Sequence, residues 1–390
     1  MPQMQRANPW AVLLGLSLGV LVTNGFGRFA YGLILPAMRA DLGWSYAQAG
    51  WLNTANAAGY VLGAVGTMLA LGRVAPGRLF AIGLIGTVAA ILATGAVPAL
   101  WWQSLWRFAT GVAGALSFST AGTLAARLFP DNPKHNALGI AILFGSGGGA
   151  AIVLAGATLP PMLAVQGDAA WPWAWVIVGG LSALCLPMGL WAARASHAPA
   201  PARAGAQPLP LRRMAPELAG YAGFGLGYIV YLTFLSAWMK EQSASPLQVA
   251  LVWVLVGTCI TLSPMLWRGV FARHASGRPL AMVLSGIALG SALPVLWPGL
   301  AGLVASALVF GACVFQAPAS VTNFCRQNLP PDSWGRAIGL FTVVFAIAQT
   351  IGPWAAGLLG DLSGSIGTSL LVASGVLLAG AAVALTQRRL

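Results

Sequence analysis

The sequence has very little charge. Only 7% of its 390 residues are Asp, Glu, Lys or Arg, whereas 58% are hydrophobic. A soluble globular chain carries about 25% charged residues, so this chain cannot cover a water-facing surface. The composition therefore excludes a soluble protein and predicts a membrane protein.

Cysteines, histidines and acids are also scarce. The four cysteines have no paired spacing, so neither a disulfide framework nor a zinc site is predicted. The sequence has no GxxxxGK(S/T) motif, which argues against direct ATP coupling, and no HExxH motif. We therefore predict no catalytic residue, no metal site and no cofactor, and we do not expect an enzyme.

Apolar runs predict an all-α membrane protein with twelve spans, because a helix needs about 20 apolar residues to cross a bilayer. The predicted spans are residues 10–37, 46–71, 79–98, 100–126, 136–159, 171–193, 217–239, 247–268, 279–297, 299–325, 335–359 and 366–387. The remaining connections leave no room for a large soluble domain. A non-transporting membrane sensor with a soluble output domain is therefore a remote alternative.

The basic residues are distributed unevenly over the predicted connections. Sixteen of the 20 Lys and Arg residues fall on the side that carries both termini, and only Arg39 and Lys240 fall on the other. Cytoplasmic loops carry such an excess, so we predict a bacterial inner-membrane protein with both termini in the cytoplasm. This orientation also explains the net charge of +13 without a nucleic-acid partner.

Internal similarity divides the chain in two. Residues 194–216 form a Pro- and Ala-rich stretch with four arginines, which predicts a cytoplasmic linker between domains at 1–193 and 217–390. The tripeptide GFG at 25–27 recurs at 223–225, an offset of 198. At an offset of 200, Ala137 and Gly139 match Ala337 and Gly339. Two matches at nearly one offset indicate two pseudo-symmetric six-helix bundles.

Twelve spans in two related halves resemble the major facilitator superfamily over the whole chain. Span 4 supports the resemblance, since Arg107, Gly111 and Ala115 fit the superfamily's pattern of an arginine followed by small residues at four-residue steps. Spans 1 and 7 are similar to the bacterial YbfB/YjiJ-like group. The resemblance implies a transporter that works by alternating access, with a midplane site lined by spans 1, 4, 7 and 10.

One superfamily feature is missing from the loop between spans 2 and 3. The sequence GTMLALGR keeps Gly66, Gly72 and Arg73 but has Ala70 where the superfamily carries an acid. The equivalent loop after span 8 has Arg273 at that position. The salt bridge that this acid makes in other members is therefore not expected here.

Two arginines, Arg28 and Arg107, lie at bilayer depth, where a charge costs about 2.5–3.5 kcal/mol and marks a candidate functional site. With α-helical spacing, Arg28 shares one face with Asn24 and Tyr31. All seven acids fall in loops or at span ends. Because guanidinium geometry suits carboxylate and phosphate, the sequence predicts an anionic substrate that supplies the missing counter-charge.

Polar side chains on several spans complete the predicted site. The candidate substrate-binding residues are Asn24, Arg28, Tyr31, Asn53, Asn56, Gln103, Arg107, Tyr228, Tyr231, Gln316 and Gln349. The candidate coupling residues are Arg107, Asp41 and Glu217, with protons as the candidate coupling ion. A structural role stays open for each of these residues. In such roles the arginines would bond to backbone carbonyls, the amides would bond between helices, and the tyrosines would pack in the interior.

The function expected from these residues is secondary active transport of a small organic solute, an anion, across the lipid bilayer, with Arg28 as its charge partner. Entry of a monoanion opposes a negative-inside potential, which favours efflux or exchange, while proton symport stays open. The main alternative is an efflux pump of the drug/proton antiporter type for neutral or amphipathic compounds, in which both arginines are structural.

Overall fold

The computed structural model describes residues 8–71, 73–129, 132, 135, 138–140, 142–196 and 209–390, apart from the side chains of residues 146, 331 and 332. Most of the predicted linker at 194–216 and the repeated position 137 lie outside these described residues.

The described residues form twelve long helices, with no strand among them. These helices are α1 Pro9–Leu42; α2 Tyr46–Ala70; α3 Pro76–Thr94; α4 Leu100–Ala125; α5, a π-helical segment Ile142–Ser146 that continues as Gly147–Gln166; α6 Trp171–Ala195; α7 Leu211–Glu241; α8 Pro246–Arg273; α9 Arg278–Leu296; α10, which comprises Leu300–Cys313 and Gln316–Asn328; α11 Pro331–Ser363; and α12 Ile366–Leu385. The predicted all-α architecture with twelve helices is confirmed.

Ten of these helices are both long enough and apolar enough to cross a membrane. The other two, α2 and α4, contain 25 and 26 residues and are therefore equally long. Their sequences are more polar because they carry side chains such as Asn53, Asn56, Gln103 and Arg107, all of which are buried within the protein. Their polar side chains face other helices, as expected for polar groups at membrane depth.

The two halves repeat a helix start. At α2, the Ser45 side chain accepts a hydrogen bond from the backbone of Gln48, whose side chain accepts one from the backbone of Ser45. Ser245 and Gln248 form the same capping box at α8, at an offset of 200. The helices α1–α6 (the N-half) and α7–α12 (the C-half) thus form two related six-helix bundles, and the domain limits at 193 and 217 stay predictions.

The predicted start of span 7 at residue 217 is wrong. Helix α7 begins at Leu211 and accommodates Pro216, a residue that in sequence resembles a helix start. Glu217 therefore lies inside the helix, where its side chain is only 1% exposed. The prediction that every acid lies in a loop or at a span end fails for this residue.

Hydrogen bonds between the halves lie toward one side of the bundle. We call the side with Asn8 and Leu390 the terminal end and the opposite side the distal end. At the distal end, the Asp361 carboxylate accepts the backbone N–H groups of Tyr46 at 2.7 Å and Ala47 at 2.8 Å. This places an acid of the C-half at the positive N-terminus of α2.

A salt bridge adds to this closure, since Lys240 Nζ lies 2.7 Å from the Asp168 carboxylate. The Tyr46 hydroxyl also donates to Glu241. Every side-chain hydrogen bond that joins described residues of opposite halves lies between the level of Arg28 and the distal end. The halves are therefore bonded to each other on the distal side.

Helices α2 and α11 approach closely where α2 carries a glycine. A Cβ atom at Gly50 would overlap the carbonyl oxygen of Pro353 and lie 3.2 Å from the ring of Phe234. By contrast, a Cβ atom at Gly66 of the same helix would meet nothing within 4 Å. The missing side chain at Gly50 permits this distal contact between the halves.

We predict that Gly50→Val destabilises the described conformation by roughly 1–3 kcal/mol, the usual cost of overpacking. The matched variant Gly66→Val makes the same change of helix propensity in the same helix without a clash. Its unfolding temperature should therefore be close to that of the wild type. Thermal unfolding of the purified protein in detergent measures both. Equal midpoints for the two variants would contradict the role assigned to Gly50.

Candidate functional site

Arg28 lies in an irregular part of α1. Residues Leu21–Phe29 are π-helical, and the Ala30 N–H donates to the Gly25 carbonyl at 3.2 Å. Such segments occur frequently at functional sites. Because its turns are wider than those of an α-helix, the spacing assumed for Asn24, Arg28 and Tyr31 does not hold.

The Arg28 side chain is 6% exposed and reaches across to the C-half. Its Nη2 donates to the Oε1 atom of Gln349 on α11. The guanidinium carbon lies 5.2 Å from the ring centre of Tyr60 and 5.8 Å from that of Phe29, within the range of cation–π attraction. Among the described residues, no carboxylate pairs with it.

Gln349 joins three helices through its side-chain amide. Its Oε1 atom also accepts a hydrogen bond from the Tyr228 hydroxyl of α7 at 3.1 Å. Its Nε2 atom is buried and has no hydrogen-bond partner in the described part of the chain. A buried donor without an acceptor is costly, so this amide offers an unused hydrogen bond beside Arg28.

Arg107 is fully buried, and its guanidinium makes more hydrogen bonds than that of Arg28, although its Nε atom has no partner among the described residues. Its Nη1 donates to the Gly27 carbonyl at 2.6 Å, and its Nη2 donates to Asn53 Oδ1 at 3.1 Å. The Asn56 amide donates to the Arg107 backbone carbonyl at 3.0 Å, and the guanidinium lies 4.8 Å from the Tyr31 ring centre. Four predicted site residues therefore meet here, and the contacts of Arg107 are those of a structural arginine.

A second hydrogen bond between the halves begins at this cluster. The Asn53 amide donates to the hydroxyl of Thr233 on α7 at 2.5 Å. Sequence reasoning missed Thr233, because a single threonine in an apolar helix has no distinguishing pattern. The cluster around Arg107 is thus connected to the C-half at about the same depth as Arg28.

The remaining substrate-binding candidates do not join either cluster. Three of them bond within their own half: Gln103 to the carbonyls of Thr94 and Val97, Tyr231 to Ser306 at 2.7 Å, and Gln316 to Ser263 at 2.7 Å. Asn24 is partly exposed, and its side chain makes no hydrogen bond among the described residues. The first three residues therefore link segments of their own half, and Asn24 forms no hydrogen bond with Arg28.

The acidic coupling candidates lie far from the centre. Asp41 is exposed at the distal end and accepts a hydrogen bond from the Trp171 indole at 2.8 Å. Glu217 lies toward the terminal end, where its Oε2 atom is buried without a hydrogen-bond partner among the described residues. Arg107, the third candidate, is close enough to Arg28 for electrostatic repulsion.

Arg28, Gln349 and Tyr228 together form a site rich in donors. The guanidinium and the free Gln349 Nε2 both seek acceptors, while the Gln349 oxygen is already occupied. A carboxylate or phosphate supplies several acceptor positions and a negative charge. The arrangement is chemically suited to hold an anion between the two halves.

The described residues form a two-bundle fold of twelve helices with a polar centre. The fold is similar to that of a bacterial homologue of the human lysosomal transporter Spinster in an inward-facing, unoccupied conformation, with a TM-score of 0.71 at 16% identity, covering 98% of this chain and 99% of that one. A mutant of the nucleoside transporter NupG has a TM-score of 0.73 at 14% identity, covering 96% and 99%. At these identities the likeness shows the fold alone.

The family follows from the sequence itself. The profile of the family described as "Uncharacterised MFS-type transporter YbfB" matches residues 20–385, and the chain belongs to this family. It is therefore a multi-pass membrane transporter of the major facilitator superfamily and not an enzyme. No curated protein matches the chain.

The two arginines should differ in their effect on stability. We predict that Arg107→Gln lowers the free energy of unfolding by roughly 1–3 kcal/mol, because the Gly27 carbonyl loses its donor in a buried place. The matched variant Arg28→Gln loses one side-chain partner and should be milder. Thermal unfolding without added ligand compares them, and a larger loss for Arg28→Gln would contradict this assignment.

Proposed function

We propose that this transporter moves a small organic anion and that Arg28 binds the negative charge. The observation that carries the proposal is the state of the guanidinium, which is buried, pairs with no carboxylate among the described residues and has an amide oxygen as its hydrogen-bond acceptor. A charged group in such a place is stable only with compensation. A substrate carboxylate or phosphate supplies it more fully than the Gln349 amide does.

The same contact supports alternating access, since Arg28 and Gln349 belong to opposite halves. Only two other bonds between described residues of the two halves lie near this depth, from Asn53 to Thr233 and from Thr54 to the Thr350 carbonyl. A ligand shifts a conformational equilibrium by its difference in affinity for the two states. An anion that takes Arg28 from Gln349 replaces this direct tie between the halves and so couples its binding to their relative position.

We further propose the orientation of the protein in a bacterial inner membrane. Sixteen of the 20 basic residues fall in the termini and connections that the sequence assigns to one side, which supports a cytoplasmic location for both termini. The terminal end would then face the cytoplasm, and the described conformation, bonded at its distal end, would be inward-facing. Ala70, in place of the usual acid near the terminal end, removes one means of stabilising the opposite state.

Direction and coupling belong to the same proposal. Exit of a monoanion runs with a negative-inside potential, at about 2.3 kcal/mol per charge and 100 mV, which favours efflux or exchange. Proton coupling rests on Glu217, because its buried carboxylate has no cationic partner among the described residues. Asp41 is a weaker candidate because it is exposed and already bonded to Trp171.

A second candidate function is efflux of neutral or amphipathic compounds. It is favoured by the aromatic rings next to Arg28, those of Tyr60 and Phe29, which bind uncharged flat molecules as well. In that case both arginines would be structural. The two functions differ in whether binding requires a negative charge.

The test is a thermal-shift screen of the purified protein against carboxylates, phosphates, sugars and organic cations. A ligand at a hundred times its dissociation constant should stabilise the fold by about 2.7 kcal/mol. We expect stabilisation by an anion class that is lost in Arg28→Ala. Arg268→Ala, which removes the same charge from an exposed position on α8, should retain it.

Two results would contradict the proposal. Unchanged anion stabilisation in a folded Arg28→Ala protein would show that this arginine does not bind the charge. Equal stabilisation of both variants by neutral amphiphiles, with no response to anions, would establish the second candidate instead.

A further inference from the structure

A row of aromatic rings leads from Gln349 toward the terminal end on the C-half. Phe224 stacks on Tyr228 with ring centres 4.4 Å apart, and on Phe345 of α11 at 5.4 Å and 18°. Tyr221 continues the row one turn further along α7, 5.5 Å from Phe224. We call Tyr221, Phe224, Tyr228 and Phe345 the C-half aromatic row. It begins at the hydroxyl that bonds to Gln349.

The N-half carries a second row on the other side of Arg28. Tyr60 lies under the guanidinium, Phe118 of α4 lies 6.3 Å from Tyr60, and Phe144 of α5 lies 4.9 Å from Phe118. We call these three residues the N-half aromatic row. It also extends from the level of Arg28 toward the terminal end.

The two rows lie near each other across the interface. The ring centre of Tyr60 lies 5.2 Å from the guanidinium carbon of Arg28, and the Tyr228 hydroxyl bonds to the same Gln349 oxygen that binds Arg28. Phe118, Phe144 and Phe345 are partly exposed, whereas Phe224 is 1% exposed. Each row therefore presents ring surface that its own half does not cover.

Together the rows and the charged centre define two parts of one binding site. Arg28 and the free Nε2 of Gln349 supply donors for an anionic group. The aromatic rows supply π faces, which prefer ring partners at centre distances of 4.5–7 Å. The amide oxygens of Gln349 and Asn53 are already engaged, which leaves the weaker hydroxyl acceptors of the tyrosines for a polyhydroxylated substrate.

We infer that the substrate is an aromatic carboxylate, with its carboxylate at Arg28 and Gln349 and its ring between the two aromatic rows. The inference rests on the proposed function, because it assigns the body of the molecule whose charge Arg28 binds. It separates this substrate from sugars, which need acceptors, and from short aliphatic acids, which leave the ring surface unused.

Three matched probes test the inference by thermal shift on the full-length protein. Phenylacetate has both features, cyclohexylacetate keeps the charge with a saturated ring, and phenylacetamide keeps the flat ring without the charge. We expect phenylacetate to bind about 2- to 10-fold more tightly than cyclohexylacetate, as ring stacking allows. The saturated ring buries at least as much apolar surface, so burial alone would give the opposite order. Phenylacetamide should bind least.

Two variants test whether the aromatic rows cause the preference for phenylacetate over cyclohexylacetate. Phe345→Leu should bring phenylacetate to the affinity of cyclohexylacetate while both still depend on Arg28. Phe324→Leu, which changes a buried phenylalanine outside both rows, should leave the preference intact. If Phe345→Leu proves unstable, the comparison of the first two probes on the wild-type protein still decides the inference.

The outcomes separate this inference from the proposed function. Equal binding of phenylacetate and cyclohexylacetate overturns the inference and leaves the anion proposal standing. Failure of every carboxylate and phosphate to bind overturns the proposed function, and equal binding of phenylacetamide and phenylacetate overturns the role of charge in both.

Discussion

The hydrogen bond between Arg28 and Gln349 is the interaction on which the rest of the site depends. It holds a buried guanidinium near the middle of α1 with an amide, and not a carboxylate, as its partner. Tyr60 and Phe29 add the electron-rich faces of their rings. The charge is therefore held by dipoles and quadrupoles, which stabilise it less than an opposite charge would.

The position of this bond connects binding to movement. Because it joins α1 of the N-half to α11 of the C-half, whatever competes for the guanidinium also replaces a direct contact between the halves. The capping of α2 by Asp361 and the Lys240–Asp168 salt bridge hold the same conformation from the distal end. Arg107 differs, since its bonds to Gly27 and Asn53 remain within the N-half.

The twelve helices and the burial of Arg28 were predictable from the sequence, because membrane insertion depends on apolar length and on the cost of burying charge. The partners of Arg28 were not, since Gln349 lies more than 300 positions away and meets it only through the packing of two bundles. The helical face shared by Arg28 and Tyr31 was also predicted wrongly, because the π-helical turn places Tyr31 beside Arg107. The aromatic rows were missed because stacked rings in apolar helices look like ordinary core.

The central claim is that the Arg28–Gln349 bond helps to hold the distal end closed. The direct measurement is the distance between spin labels at Ala40 and Gln242, both exposed at the distal end on opposite halves, with the four native cysteines replaced. Gln349→Leu should add a population at longer distance, whereas Gln316→Leu, which breaks a bond within the C-half, should match the unsubstituted protein. Identical distance distributions for all three proteins would contradict the account.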